Sequence, residues 1–159
     1  MLAIPLTVLA APAVPVHNSG IEGRSNWHHS KTHKVTVGAW STKRYHPEYV
    51  HAKVGDYIEF EFHTTNHSVT ESFFDGPCAR LTDSNENPIG FDTGLVPVPS
   101  TQISHFPTRK YKVTDKKPHW FSCGDFEHCS AGMVFAVNPP KRGNTFRKFK
   151  QNALESEEY

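Results

Sequence analysis

Cys123, His128 and Met133 fall at Cys-x4-His-x4-Met spacing inside SCGDFEHCSAGM, residues 122–133. Cys129 adjoins the histidine, so this loop holds two of the three cysteines and one of the two methionines. Packing alone gives no reason to gather a thiol, an imidazole and a thioether so closely. Their donor chemistry does, because all three are ligands of a soft, redox-active cation. A loop presenting them from one side needs a fourth donor from elsewhere in the chain. His67, in TTNHSVT at the start of an expected strand, is the best candidate.

Two imidazoles and a thiolate in a trigonal plane, with a weak axial methionine, describe a blue-copper electron-transfer site. The expected ligand set is His67, Cys123, His128 and Met133 around one copper ion. The thiolate binds both oxidation states, the imidazoles suit the divalent ion and the thioether suits the monovalent one. A geometry acceptable to both states keeps reorganisation small when an electron moves.

Three cysteines make an odd count, and in an oxidising compartment a spare thiol needs a role. Cys78 and Cys129 can pair, which leaves Cys123 as the ligand. Zinc is the chemical rival, taking a second thiolate from Cys129 or Cys78, but it would break that disulfide and leave Met133 idle. Nucleophilic catalysis by Cys123 with His128 lacks a third orienting group, and multicopper oxidase chemistry needs further domains. The chain is therefore not expected to be an enzyme.

The elements that must hold these residues read as short strands. In GDYIEFEFH, residues 55–63, Ile58, Phe60 and Phe62 alternate with Tyr57, Glu59, Glu61 and His63, the period of a strand with one wet face. HKVTVG (33–38), HSVTESF (67–73), RKYKVTD (109–115), PHWFSC (118–123) and MVFAVN (133–138) are further strands. Strand alternation predicts that one of Trp120 and Phe121 faces the core and the other faces outward. Turn-rich loops such as residues 75–90 separate the strands. The pattern predicts an all-β, Greek-key antiparallel sandwich with short flexible N- and C-terminal extensions.

Four regions follow. Residues 1–13 read as a signal peptide, apolar but too short to span a bilayer, with small residues at Ala10, Ala11 and Ala13 as cleavage points. Residues 14–33 form a polar linker carrying His28, His29 and His33, residues 34–139 the folded domain, and residues 140–159 a charged tail with at most a short helix. Net charge is +1 over 159 residues, which argues against a nucleic-acid partner, and nothing predicts a membrane span. A secreted monomer with an unidentified redox partner is expected. The five basic residues between Lys141 and Lys150 make an acidic cell-wall polymer a second candidate partner. Asn66-His67-Ser68 is a glycosylation sequon whose use would crowd His67, so low occupancy is expected.

VTVG, VGDYIEFEFHTTNHSVTES, GFDTGLVPV and above all PHWFSCGDFEHCSAGMVFAVNP resemble the cupredoxins, specifically the phytocyanin-like domains of fungal extracellular serine-rich proteins. The resemblance covers about residues 34–139. It implies copper ligation by His67, Cys123, His128 and Met133, a Cys78–Cys129 disulfide, and one β-sandwich with the metal near one end. A serine-rich C-terminal region and a lipid-anchor tail, found in many relatives, are missing from this sequence, so free secretion is the simpler expectation. Copper scavenging or delivery, favoured by the histidines at 28–33, and a non-redox surface-interaction module are the alternative functions.

Overall fold

The alternating residues of the strongest strand set the centre of the molecule. In a computed structural model, which describes residues 29–125 and 127–156, β4 (Tyr57–Phe62) buries Ile58, Phe60 and Phe62 and half-exposes the residues between them. β1 (Thr32–Val37) lies parallel to β4, with Val35 opposite Phe60 and Val37 opposite Phe62. β2 (Tyr45–His46) extends this sheet beyond β1, and β8 (Thr108–Lys112) flanks β4, giving the order β2-β1-β4-β8. The second sheet runs β3-β10-β9-β6, from β3 (Tyr49–Val50), β10 (Val134–Val137), β9 (His119–Ser122) and β6 (Thr70–Glu71). A two-stranded ribbon joins β5 (Thr65–His67) to β7 (Val96–Val98).

The two sheets face each other across one apolar core. Phe60 meets Phe135 edge-on at 5.2 Å between ring centroids, and Phe121 closes on Phe135 at 5.9 Å. The all-β sandwich expected from the sequence is therefore present. It is mixed rather than purely antiparallel, because the β1–β4 and β3–β10 pairs are parallel. Neither parallel pair is joined by a hairpin; chain crossing between the sheets supplies the connections.

β10 is buried along its whole length, and the cause lies in the C-terminal segment. Phe135 and Val137 face the sandwich core, while Val134 and Ala136 face α1 (Phe146–Leu154), which buries Phe149 and Ala153 against them. A strand covered on both faces reads as a continuous apolar run, as VFAV does. Thr145 caps the helix, its hydroxyl accepting from the Lys148 amide at 3.3 Å. The 140–159 segment thus carries the short helix allowed for it, docked on the second sheet. The expectation that only one of Trp120 and Phe121 is buried fails for the same reason. Phe121 fills the sandwich core, and Trp120 lies under α1, 4.8 Å from Phe149 and 4.9 Å from Phe74.

β1 begins at Thr32, within the stretch read as linker, and His33 is therefore a strand residue. Its Nε2 lies 2.9 Å from Asp56 Oδ2, and Asp56 also accepts from the Lys31 and Lys53 amides. Those three bonds, the histidine's first, hold the Asp56 carboxyl well below the usual carboxylate range. His28 and the expected signal peptide lie outside the described residues. Among the described residues no helix is long and apolar enough to cross a membrane.

Candidate metal centre

β9 ends at Ser122 and β10 begins at Val134, so the loop between them is clamped by two neighbouring strands, Val134 opposite Ser122. Backbone bonds tighten it further. Cys123 N donates to Met133 O at 3.1 Å, Met133 N to His128 O at 2.9 Å, and His128 N to Asp125 O at 3.1 Å. Cys123, His128 and Met133 are thereby tied to one another through the main chain before any side chain is considered. Cys129 is joined to Cys78, which anchors the same loop to the 75–90 loop. Cys123 is the free cysteine, and it is buried.

His67 arrives from the other direction, at the end of β5. Its Nδ1 lies 3.9 Å from Cys123 Sγ, and His128 Nδ1 lies 3.4 Å from the same sulfur. One ligating atom from each of His67, Cys123 and His128 falls within 4.8 Å of the others, all three residues being buried. The two imidazole centroids are 5.0 Å apart. Met133 is fully buried in the sandwich core, its backbone bonded to both loop ligands. The structure thus brings together His67, Cys123 and His128 directly and places Met133 at the end of the same loop.

Several residues prepare these donors without having been singled out in the sequence. The Thr64 carbonyl, 3.3 Å from His67 Nε2, can only accept, so the proton sits on Nε2 and the Nδ1 lone pair faces the sulfur. The Ser68 amide donates to Cys123 Sγ at 3.4 Å, and the Ser68 hydroxyl accepts from the Gly124 amide at 2.7 Å. Tyr45 fixes this segment from beneath, its hydroxyl donating to the Ser68 carbonyl. Gly38 makes room for the His67 ring on the side away from the sulfur: a Cβ there would lie 2.0 Å from Nε2, and its φ of +73° suits glycine. Gly38 ends the VTVG stretch, where only a strand terminus was legible.

Burial pushes the Cys123 thiol above its ordinary pKa, opposed in part by the Ser68 amide bond. Burial also lowers the His67 pKa, opposed by the Thr64 bond and reinforced by neighbouring His128. Two imidazole nitrogens facing one buried thiol make a donor set suited to a cation. Asp125 Oδ2 stands 3.8 Å from His128 Nε2, on the side away from the sulfur.

No family model matches the chain. It is 28% identical over 124 residues to "Probable GPI-anchored cupredoxin-1" of Arthroderma benhamiae, a match covering 78% of this chain and 60% of that protein. It is 27% identical over 124 residues to an "Extracellular serine-rich protein" of the same organism, covering 78% and 45% respectively. The chain therefore spans about half the length of the curated relatives it matches. Among solved structures, reduced auracyanin from Roseiflexus castenholzii is 12% identical with a TM-score of 0.47, over 68% of this chain and 95% of that one. Across most of its length the chain is similar to fungal proteins named as a cupredoxin and as an extracellular serine-rich protein.

Proposed function

We propose that the chain is an extracellular copper protein that carries single electrons, with His67, Cys123, His128 and Met133 as the ligands. The observation that supports this reading is the convergence of two imidazole nitrogens on one free, buried thiol, with the other two cysteines already joined. This donor set fits copper: two nitrogens and one sulfur within a few ångströms, and a buried methionine on the same loop. Zinc would find no second thiolate here, since Cys78 and Cys129 are committed to each other.

When bound, copper supplies a couple between its divalent and monovalent states. The protein's own contribution is to hold the donors in place. Cys123 gives up its proton as the cation enters, so loading releases a proton to solvent. The Ser68 amide then stabilises the thiolate through its hydrogen bond to Sγ. The Thr64 carbonyl keeps His67 Nδ1 unprotonated, and the strands on both sides of the loop resist rearrangement. All four proposed ligands are buried, which keeps water from competing for them. The similarity to GPI-anchored and extracellular fungal proteins supports an extracellular setting, where the disulfide is stable. Such a chain is a carrier rather than a catalyst.

Titration of the apo protein with Cu(II) tests the reading. It should saturate near one ion per chain and develop an intense thiolate-to-copper visible band that Cys123→Ser removes. Copper uptake without that band, or a band that survives Cys123→Ser, would refute it.

A further inference from the structure

Two hollows lie side by side on the face built from the loop after β1, β2, β3 and the start of α1. The first, of about 430 Å³, is lined by residues that include Trp40, Arg44, His46 and Tyr49. The second, of about 290 Å³, is lined by residues that include Tyr49, His51, Lys141 and Arg147. Tyr49 lines both, so the hollows adjoin at this residue and together make a groove. Phe146 braces the Tyr49 ring at 5.3 Å and His51 at 5.9 Å.

Three features of the groove point to a ligand. Trp40 is 91% exposed. Its φ is 52° and that of Ser41 is 57°, a left-handed pair that is uncommon for a bulky side chain and that keeps the indole out in solvent. Tyr49 offers a second half-exposed aromatic ring. The charged lining is one-sided: Arg44, Lys141 and Arg147 are exposed cations with no carboxylate in ion-pair range among the described residues, and the one lining acid, Glu48, is engaged by Lys150. The field is local, since the chain as a whole carries only +1.

A ligand that fits has flat apolar faces, hydroxyl edges and negative charges repeated along its length. We propose that this groove binds a strand of acidic polysaccharide, with sugar rings laid on Trp40 and Tyr49 and carboxylates at Arg44, Lys141 and Arg147. The C–H face of a pyranose stacks on an indole or phenol ring, while Thr36, Thr42 and His46 stand beside them to meet hydroxyls. A membrane surface fits less well, because the residues following Trp40 are Ser41, Thr42, Lys43 and Arg44 rather than an apolar ridge. Three free cations are few for a nucleic-acid backbone, which specific binders neutralise at roughly 6–10 phosphates. This proposal does not depend on the copper reading, since none of the groove residues is among the proposed ligands.

Affinity electrophoresis of the full chain through gels containing polygalacturonate tests it, with methyl-esterified polygalacturonate and neutral dextran as comparison polymers. Polygalacturonate should retard the protein, and esterification should abolish the effect. Trp40→Ala and the double variant Lys141→Ser, Arg147→Ser should each weaken binding roughly tenfold. Thermal unfolding should show both variants folded, as all three side chains are exposed. The proposal is overturned by an unretarded wild type or by a Trp40→Ala protein that binds like wild type. It is equally overturned if single-stranded DNA or phosphatidylserine vesicles bind more tightly than polygalacturonate.

Discussion

Replacing Gly38 with alanine places a methyl group 2.0 Å from His67 Nε2 and 2.3 Å from Cδ2. Ordinary contact needs about 3.5 Å, so ring or backbone must retreat by about 1.5 Å. His67 is only 2% exposed and lies between Gly38, Thr64 and Cys123, which leaves little space for that movement. Forcing a side chain into a packed site costs about 1–3 kcal/mol, and the left-handed backbone at φ +73° adds about 1–2 kcal/mol for any residue with a Cβ. The apo protein should therefore lose about 2–5 kcal/mol, or about 5–15 °C in Tm. Gly55→Ala separates the two contributions, because Gly55 has φ +94° and a methyl group there would meet nothing within 4 Å. It should carry the backbone cost alone and leave the metal site intact. Calorimetry and copper titration of both variants decide the matter: Gly38→Ala should also lose or shift the thiolate-to-copper band, and Gly55→Ala should keep it. A Gly38→Ala protein no less stable than Gly55→Ala, with an unaltered band, would refute the claim that Gly38 seats His67.

The Cys78–Cys129 bridge spans 51 positions and, on chain entropy, contributes roughly 4 kcal/mol. Cys78→Ala with Cys129→Ala should lower urea stability by about that much and also weaken copper binding, since His128 is the bridge's neighbour; unchanged copper affinity would show that the bridge does not position the loop. Phe149→Ala should cost about 3–5 kcal/mol and expose Trp120, read as a red-shifted tryptophan emission, if α1 is part of the folded domain; a wild-type Tm would contradict its docking. His119 Nδ1 lies 2.7 Å from Glu71 Oε1 and Nε2 lies 3.1 Å from Asp115 Oδ1, with the Tyr111 ring alongside, and the Glu71 bond chiefly raises its pKa. A raised histidine pKa stabilises the fold fully below the unfolded value of about 6.5, and that contribution is lost as pH rises through the folded value. His119→Gln should thus cost about 1–3 kcal/mol at pH about 6 and less at pH about 9 by urea unfolding, and equal losses at both would count against the charged pairing.

What the sequence made legible was local. Cys123, His128 and Met133 lie on one loop, and their donor chemistry is visible in residue type and spacing alone. β4 was legible because alternation over six residues is a strong pattern, and its register against β1 follows from burying Phe60 and Phe62 together. β2 and β3, of two residues each, are too short to show any period. Gly38 escaped notice because its role is a close approach to a distant imidazole, and no local pattern encodes that. The docking of α1 was hidden by its charges: the helix rests on the sheet through Phe149 and Ala153, and the lysines and arginine around them read as tail. That one omission also misplaced Trp120, because alternation predicts an outward residue only where nothing covers the outer face.

X-ray absorption at the copper edge of the loaded protein tests the central claim most directly. One short sulfur and two imidazole nitrogens per copper, with the sulfur replaced by oxygen in Cys123→Ser and one imidazole lost in His67→Ala, is the predicted result. A shell of nitrogen and oxygen alone, or an unaltered shell in His67→Ala, would contradict it.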